Sequence, residues 1–526
     1  MTACLLALAS PGWTSGARLR AKPDVATRAD TPAQPAVGFF APSEVNLLAG
    51  PFESARTAGS RQLLALDVER LLHDFRVEAG LPPRYCSDAR TLPCEPPTDA
   101  TCAGDVLGRY LSACSLTWAA THEAPLRERA DRVVNELRAC QHAAGGVWAG
   151  AFSGIVPEAN QASRHGLQDL LAGLRDAHLH ARLPRALPVF ARLVDGIEEA
   201  VQACGDSRLQ PRLPQANGGM SEVLADLFTL TGQRRYLRLA ERFSDRASLD
   251  ALAQGRGLPA GAHTAARIIE LVGLARLHGL QCREDGLLAA QPFWRDGTVS
   301  GPVACEDLAD DCLAAGHAPG RPAPGQGGQA RHVDDLLRLT RLLFAASPLA
   351  GYADCQERIL FNTPLAFPDA SLSAADAIYA QRGDVLYVSQ FIASRLDWCD
   401  KRLQLRQHTN FPDEAATRIS ISCARRVRFA MRLRHPAWCR RLAVAINGRT
   451  FTVSEVPGRF VEIDRHWCDG DVVDVRLPMH PYTRPICAAP GTLARMVGPV
   501  VLAACAASSI AGPPLERRCR SIASAE

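Results

Sequence analysis

Eighteen cysteines are the first residues in this chain whose type invites a chemical reading, because a thiolate can act as nucleophile, metal ligand or redox partner. They run from Cys4 to Cys519 and include no C-x-x-C pair, so neither a zinc ribbon nor a dithiol redox motif is written here. Cys86, Cys94 and Cys102 recur at equal spacing in a Pro-rich stretch. A metal cluster or disulfide is one reading of them; unrelated free thiols is the other, favoured because close ligand spacing is lacking. The run from Gly316 to Gly328 is rich in Gly and Pro but lacks the Lys that a phosphate-cradling loop needs. No nucleophile elbow and no HExxH helix occur either.

Composition narrows the classes further. With 59 Lys and Arg against 55 Asp and Glu, basic residues scattered along the chain and only 6% aromatics, the sequence carries no footprint for nucleic acid. A chain of 526 residues, 47% of them hydrophobic, exceeds what one core organises, so two or three domains are expected. Met1 to Ala9 is a short apolar run followed by a polar tail; a clipped secretory signal and a disordered leader both fit, which leaves cytoplasmic and exported locations open. No stretch of about 18 strongly apolar residues exists, so no membrane span is expected. Met496 to Gly512 comes closest and reads as a buried strand.

Two periodicities divide the chain. From Phe39 to Asn362 apolar residues recur three and four apart, as in Arg61 to Phe75, Leu107 to Thr121, Leu126 to Gln141, Met220 to Thr231, Tyr236 to Phe243, Thr264 to Leu277 and Val333 to Phe344. Helical hairpins in series follow, closing into a toroid around a central pocket or stacking into a superhelix. Beyond about Ala380 the period becomes two, in Val385 to Phe391, Arg418 to Ser422, Val427 to Leu433, Leu442 to Ile446, Arg459 to Ile463 and Val472 to Leu477, with turns at Asn447-Gly448 and Asp469-Gly470. The expected organisation is a leader over 1–38, a mainly α domain over 39–375 and an antiparallel β-sandwich over 376–526.

Several strings resemble glycoside hydrolase family 127, the β-L-arabinofuranosidase type, in the family's order: Val45 to Phe52 (VNLLAGPF), Asp67 to Gly80 (DVERLLHDFRVEAG), Leu107 to Thr121 (LGRYLSACSLTWAAT), Gly218 to Leu227 (GGMSEVLADL), Tyr352 to Asn362 and Arg432 to Trp438 (RLRHPAW). The resemblance spans Phe39 to about Ala503 and implies an (α/α)6 barrel followed by β-sandwich domains.

It also implies chemistry: a cysteine nucleophile held with zinc by a Glu-x-Cys motif and a Cys-Cys pair, with a separate glutamate as acid/base. Here the Glu-x-Cys positions resemble Gln329-Ala330-Arg331, and Arg331 would set a permanent cation where the divalent ion belongs. The interval for the Cys-Cys pair is Thr363 to Ala377, which has no cysteine. Cys355, the nearest thiol, stands where relatives carry an aromatic and is expected to pack. The family's two histidines near the start of the LGRYLSA helix are replaced by Asp105 and Arg109, and a third by Gln168.

What survives is a short set of residues. Glu306 is the nearest match to the acid/base glutamate, and Glu222 follows the kept Gly218-Gly219-Met220 string, so these two are the catalytic candidates, with Asp105 a third carboxylate. For Glu222 a helix-start carboxylate bound to backbone amides is an equal reading. His263, Arg109 and Tyr110 are the substrate-contacting candidates. Zinc is not expected as a cofactor; an arabinose-containing carbohydrate is the expected partner. A glycosidase with a changed site, a sugar-binding pseudoenzyme and a decayed gene product all remain open.

Overall fold

A computed structural model describes residues 37–84, 103–145, 161–205, 209, 218–244, 264–281, 291, 294, 327–362, 375–485 and 492–506. Helices come first: α1 (Pro51–Ala65), α2 (Val68–Glu78), α3 (Ala103–Thr121), α4 (Ala124–Ala143), α5 (Gln161–Leu179), α6 (Ala186–Cys204), α7 (Gly218–Thr231), α8 (Arg234–Arg242), α9 (Thr264–Gln281), α10 (Gly327–Ala346) and α11 (Ala350–Asn362). The periodic run Arg61 to Phe75 is two helices, not one. Leu66 turns to extended backbone and the Asp67 carboxylate accepts from the Glu69 amide, capping α2.

Two pairs of these helices are joined by tight turns that share one chemistry. After α3, Thr121 Oγ1 donates to the Thr117 carbonyl and accepts from the Glu123 amide, while His122 takes φ 58°. After α7, Thr231 does the same with Leu227 and Gln233, and Gly232 takes φ 70°. A Thr-x-(Glu/Gln) turn thus recurs between hairpin partners, satisfying helix-end groups that would otherwise lack partners.

Helices α3, α5 and α7 run side by side in the same direction. Gly104 lies against Gly166, and Gly108 lies against Asp169 and Gly173; a Cβ on Gly108 would fall 2.2 Å from the Asp169 carbonyl carbon. Backbone-to-backbone contact of this kind is open only to glycine. Across the next seam Gln168 meets Gly219 and Arg175 meets Asp226. The hairpin turns fall at 66–67, 122–123, 180–185, 232–233 and 347–349, whereas the connections leading into α3, α5, α7, α9 and α10 are long: 79–102, 144–160, 205–217, 243–263 and 282–326. All the long connections therefore feed helix starts. Most of their residues lie outside those described, as do residues 1–36 of the leader, Cys86, Cys94, Cys102 and residues 316–326; Gly327 and Gly328, expected in the connection, already belong to α10.

Strands follow, with two exceptions. The chain's β1 (Gly38–Phe39) and β2 (Val45–Leu47) precede α1 yet pair with β3 (Tyr379–Arg382) and β5 (Ser394–Trp398), so the N-terminal segment expected in the helical domain belongs to the sheets. One sheet has the order β1-β3-β4-β8-β11, with β4 (Val385–Val388), β8 (Val427–His435) and β11 (Arg459–Trp467). The other has the order β10-β9-β12-β7-β6-β5-β2, with β6 (Leu403–Thr409), β7 (Ala416–Cys423), β9 (Ala443–Ile446), β10 (Arg449–Phe451) and β12 (Val472–Arg476). Pairing is antiparallel except for β4 and β8, which run parallel. Met431 and Ile463 of the first sheet share one buried apolar cluster with Leu405 and Val473 of the second. A third sheet, β13 (Pro481–Pro485), β14 (Thr492–Val497) and β15 (Val500–Ala506), takes up the segment read as a buried strand as a hairpin. No helix among the described residues is long and apolar enough to cross a membrane.

Candidate functional site

Residues singled out by the sequence gather at the starts of the helices that the long connections feed. Asp105 and Arg109 lie in the first two turns of α3 and are half-buried; Gln168 is in the second turn of α5 and Glu222 in the second of α7. Gln329 and Arg331 belong to the first two turns of α10, with their side chains outside the described residues. His263 directly precedes α9, and Glu306 falls in the connection before α10; both are outside the described residues.

Below this end lies a buried ion network. Arg175 of α5 reaches Asp176 Oδ1 at 2.9 Å and Asp226 Oδ2 at 2.8 Å, with Glu222 Oε1 at 3.8 Å. Asp226 Oδ1 accepts from Arg276 Nε of α9 at 2.7 Å. Glu222, wholly buried, pairs through Oε2 with Arg338 of α10, which also reaches Asp335 at 3.3 Å. Ser112 of α3 donates to Asp176. One charge network thus ties α3, α5, α7, α9 and α10 together.

Electrostatics in the network follow from opposed causes. Burial alone would raise the Asp176 pKa, but Arg175, His180 and the Ser112 hydroxyl hold it below the usual carboxylate value. Burial likewise works against Asp226, which Arg276 and Arg175 hold low. Arg175 resists the burial that disfavours its charge, because three carboxylates hold its proton more tightly than usual. His180, just past α5, is pushed down by burial despite Asp176 and Asp376 nearby. Charges buried in such a web are stable only as a set, since losing one leaves its partner unpaired.

Set in this network, Glu222 is an ion-pair partner of two guanidiniums rather than the helix-start cap considered for it; its Oε1 makes no hydrogen bond. Gln168 lies across the start of α7, and a Cβ at 219 would fall 1.9 Å from its Nε2, so the kept glycine of the GGM string makes room for this side chain. Tyr110, expected to touch substrate, is packed in the helical core, with its hydroxyl beside Cys114 and Arg129. The alternation along α3 explains the difference: Asp105, Arg109 and Ser112 share one face, and Tyr110 is turned from it. Cys355 is fully buried in an apolar cluster with Tyr352 and Ile359, a packing position.

Sequence reasoning missed Arg175, Asp226, Arg276 and Arg338. Their signal was the charge placed inside otherwise apolar helical stretches, such as Arg175-Asp176 after Leu174 and Asp226 between Ala225 and Leu227. Two of the strings that suggested the family are explained elsewhere. Arg434 of the RLRHPAW string is wholly buried and pairs with Asp354 and Glu357 of α11, and Trp438 Nε1 donates to Glu357 at 2.8 Å. The Asp354 carboxylate also accepts from the Ala437 amide at 3.2 Å. These strings fasten the last helix to the sheets.

Zinc requires anionic or imidazole donors. Gln329, Ala330 and Arg331 at the positions resembling the Glu-x-Cys motif supply none, so these residues do not fit the ion. Among the described residues no group of three or more His, Cys, Asp or Glu is gathered to hold a metal.

The model of the β-L-arabinofuranosidase GH127 catalytic domain matches residues 44–300, and that of the GH127 middle domain matches residues 385–479. Among solved structures, the GH127 β-L-arabinofuranosidase of Geobacillus stearothermophilus T6 superposes with a TM-score of 0.65 at 17% identity, covering 87% of this chain and 86% of its own. A GH127 β-arabinofuranosidase superposes at 0.66 and 17%, covering 88% and 85%, and a structure described as a glycoside hydrolase at 0.61 and 14%, covering 89% and 83%. No curated protein matches the chain. The helix-rich half, the separate sheets behind it and the two family domains matched in order make this chain a member of glycoside hydrolase family 127.

Proposed function

We propose that this chain is a carbohydrate-binding member of the family in which β-L-arabinofuranosidase chemistry is impaired or lost. In this reading the helices form an (α/α)6 barrel whose pocket opens at the long connections, and the sheets form a β-sandwich behind it. The observation that carries the reading is Glu222, a predicted catalytic carboxylate that is wholly buried and shared between Arg175 and Arg338. A carboxylate engaged in this way holds helices together, and neither a cysteine nucleophile nor zinc ligands stand at the family's positions to act in its place. Arg109 and His263 are then the residues that meet the sugar, an arabinose-containing carbohydrate, without cleaving it. No nucleic-acid or membrane partner is expected.

A second reading keeps activity through a pair of carboxylates, Glu222 with Glu306 or Asp105, one as acid and the other as base or nucleophile. It is favoured by the placing of Asp105 and Glu222 at the same helix-start end, in α3 and α7. Incubation with a chromogenic β-L-arabinofuranoside, paired with calorimetric titration of the free sugar, separates the two. Binding without release of aglycone supports the first; turnover that falls in Glu222→Gln and Glu306→Gln supports the second.

A further inference from the structure

We propose that Cys423 and Cys468 form a disulfide that fastens the five-stranded sheet to the seven-stranded sheet at one end of the sheet pair. Cys423 is the last residue of β7 in the seven-stranded sheet, and Cys468 follows Trp467, the last residue of β11 in the five-stranded sheet. The turn carrying Cys468 is folded onto the end of β7: the Gly470 amide donates to the Ile421 carbonyl at 2.9 Å, the Ile421 amide to the Asp471 carbonyl at 2.9 Å, and the Cys423 amide to Asp469 Oδ1 at 3.1 Å. Cys423 Sγ lies 4.0 Å from the Trp467 carbonyl oxygen, and the Cα of Cys468 is one peptide bond away, about 3 Å from that oxygen. Residues facing each other across antiparallel backbone hydrogen bonds have Cα atoms about 4.5–5.5 Å apart, within the about 4.4–6.8 Å that a disulfide asks for.

The two thiols differ in the way a stepwise exchange requires. Cys468 is exposed and Cys423 is buried. Burial, with Asp469, Cys468 and Asp471 around it, pushes the Cys423 thiol up, which disfavours its thiolate and so makes the closed disulfide harder to reduce. The oxidant is a small disulfide such as oxidised glutathione. The Cys468 thiolate attacks one of its sulfurs, breaking that S–S bond and releasing one glutathione thiolate. Cys423 then gives up its proton and attacks the Cys468 sulfur, releasing the second glutathione. Two protein thiols are oxidised and one small disulfide is reduced to two thiols. The bond closes a loop containing β8 to β11, and constraining it in the unfolded chain is a source of stability.

Full-length protein treated with oxidised glutathione, alkylated without reduction and digested is expected to give a peptide pair joining Cys423 to Cys468, lighter than the two free-thiol peptides by two hydrogens and released by reductant. Cys468→Ser, a change at an exposed position, is expected to remove that pair and leave Cys423 alkylated once the protein is denatured. A glutathione adduct on Cys468 with Cys423 still a thiol, or linkage of Cys468 to the exposed Cys399 instead, would overturn the proposal.

Discussion

Glu222 shows most clearly how a single residue can look like chemistry in sequence and serve cohesion in space. Replacing it by Gln keeps the shape but takes one carboxylate partner from buried Arg175 and one from Arg338, which is 21% exposed, and breaking a buried pair in this way costs about 3–5 kcal/mol. Urea denaturation of Glu222→Gln should show a loss of that size; an unchanged midpoint would mean that the guanidiniums are satisfied without it. The same network sets the response to acid. His180 has its folded pKa below its unfolded one, so stability begins to fall as pH drops below about 6.5, where the unfolded imidazole gains its proton first. Asp176 and Asp226, depressed in the fold, add stability that is complete above about pH 4 and lost as pH falls through their folded pKa values. A denaturation series from pH 8 to pH 3 should therefore fall in two stages, and a flat profile down to pH 3 would contradict the assignment.

Among the elements, the α3–α5 seam rests on glycines. Gly108→Ala would drive a methyl into the Asp169 backbone, where neither helix can yield without separating, and a cost of about 1–3 kcal/mol is expected from overpacking. Calorimetry would read it, and a melting temperature equal to the unsubstituted protein's would show that the helices stand further apart. Much of this level was legible in the sequence. The helices Leu107 to Thr121 and Leu126 to Gln141 and the strands at 427–433 and 459–463 emerge within the expected stretches, because periodicity reports which face of an element is buried. The break at Leu66 was hidden because apolar residues continue through it while one Asp does the capping. Strands β5 and β6 were passed over, since Ser394–Trp398 and Leu403–Thr409 carry Arg, Asp and Gln on their outward faces. The pairing of β1 and β2 with strands more than three hundred residues away depends on tertiary contact that no local pattern records.

For the whole molecule, resemblance identified the family while the site remained only partly legible. The strings that carry the likeness divide between the helix-start end, as with Gly219 beneath Gln168, and the helix–sheet junction around Arg434, so they report the scaffold as much as any chemistry. Tyr110 lies in the helical core, and a motif string does not say which of its residues face inward. The arginines of the central network were overlooked because a charge inside an apolar helix has no sequence signature of its partner. The most direct test is release of aglycone from a chromogenic β-L-arabinofuranoside by the folded protein, beside a relative that keeps the Glu-x-Cys and Cys-Cys motifs. The expected result is no release above the uncatalysed rate; release approaching that of the relative would contradict the loss of family chemistry proposed for this chain.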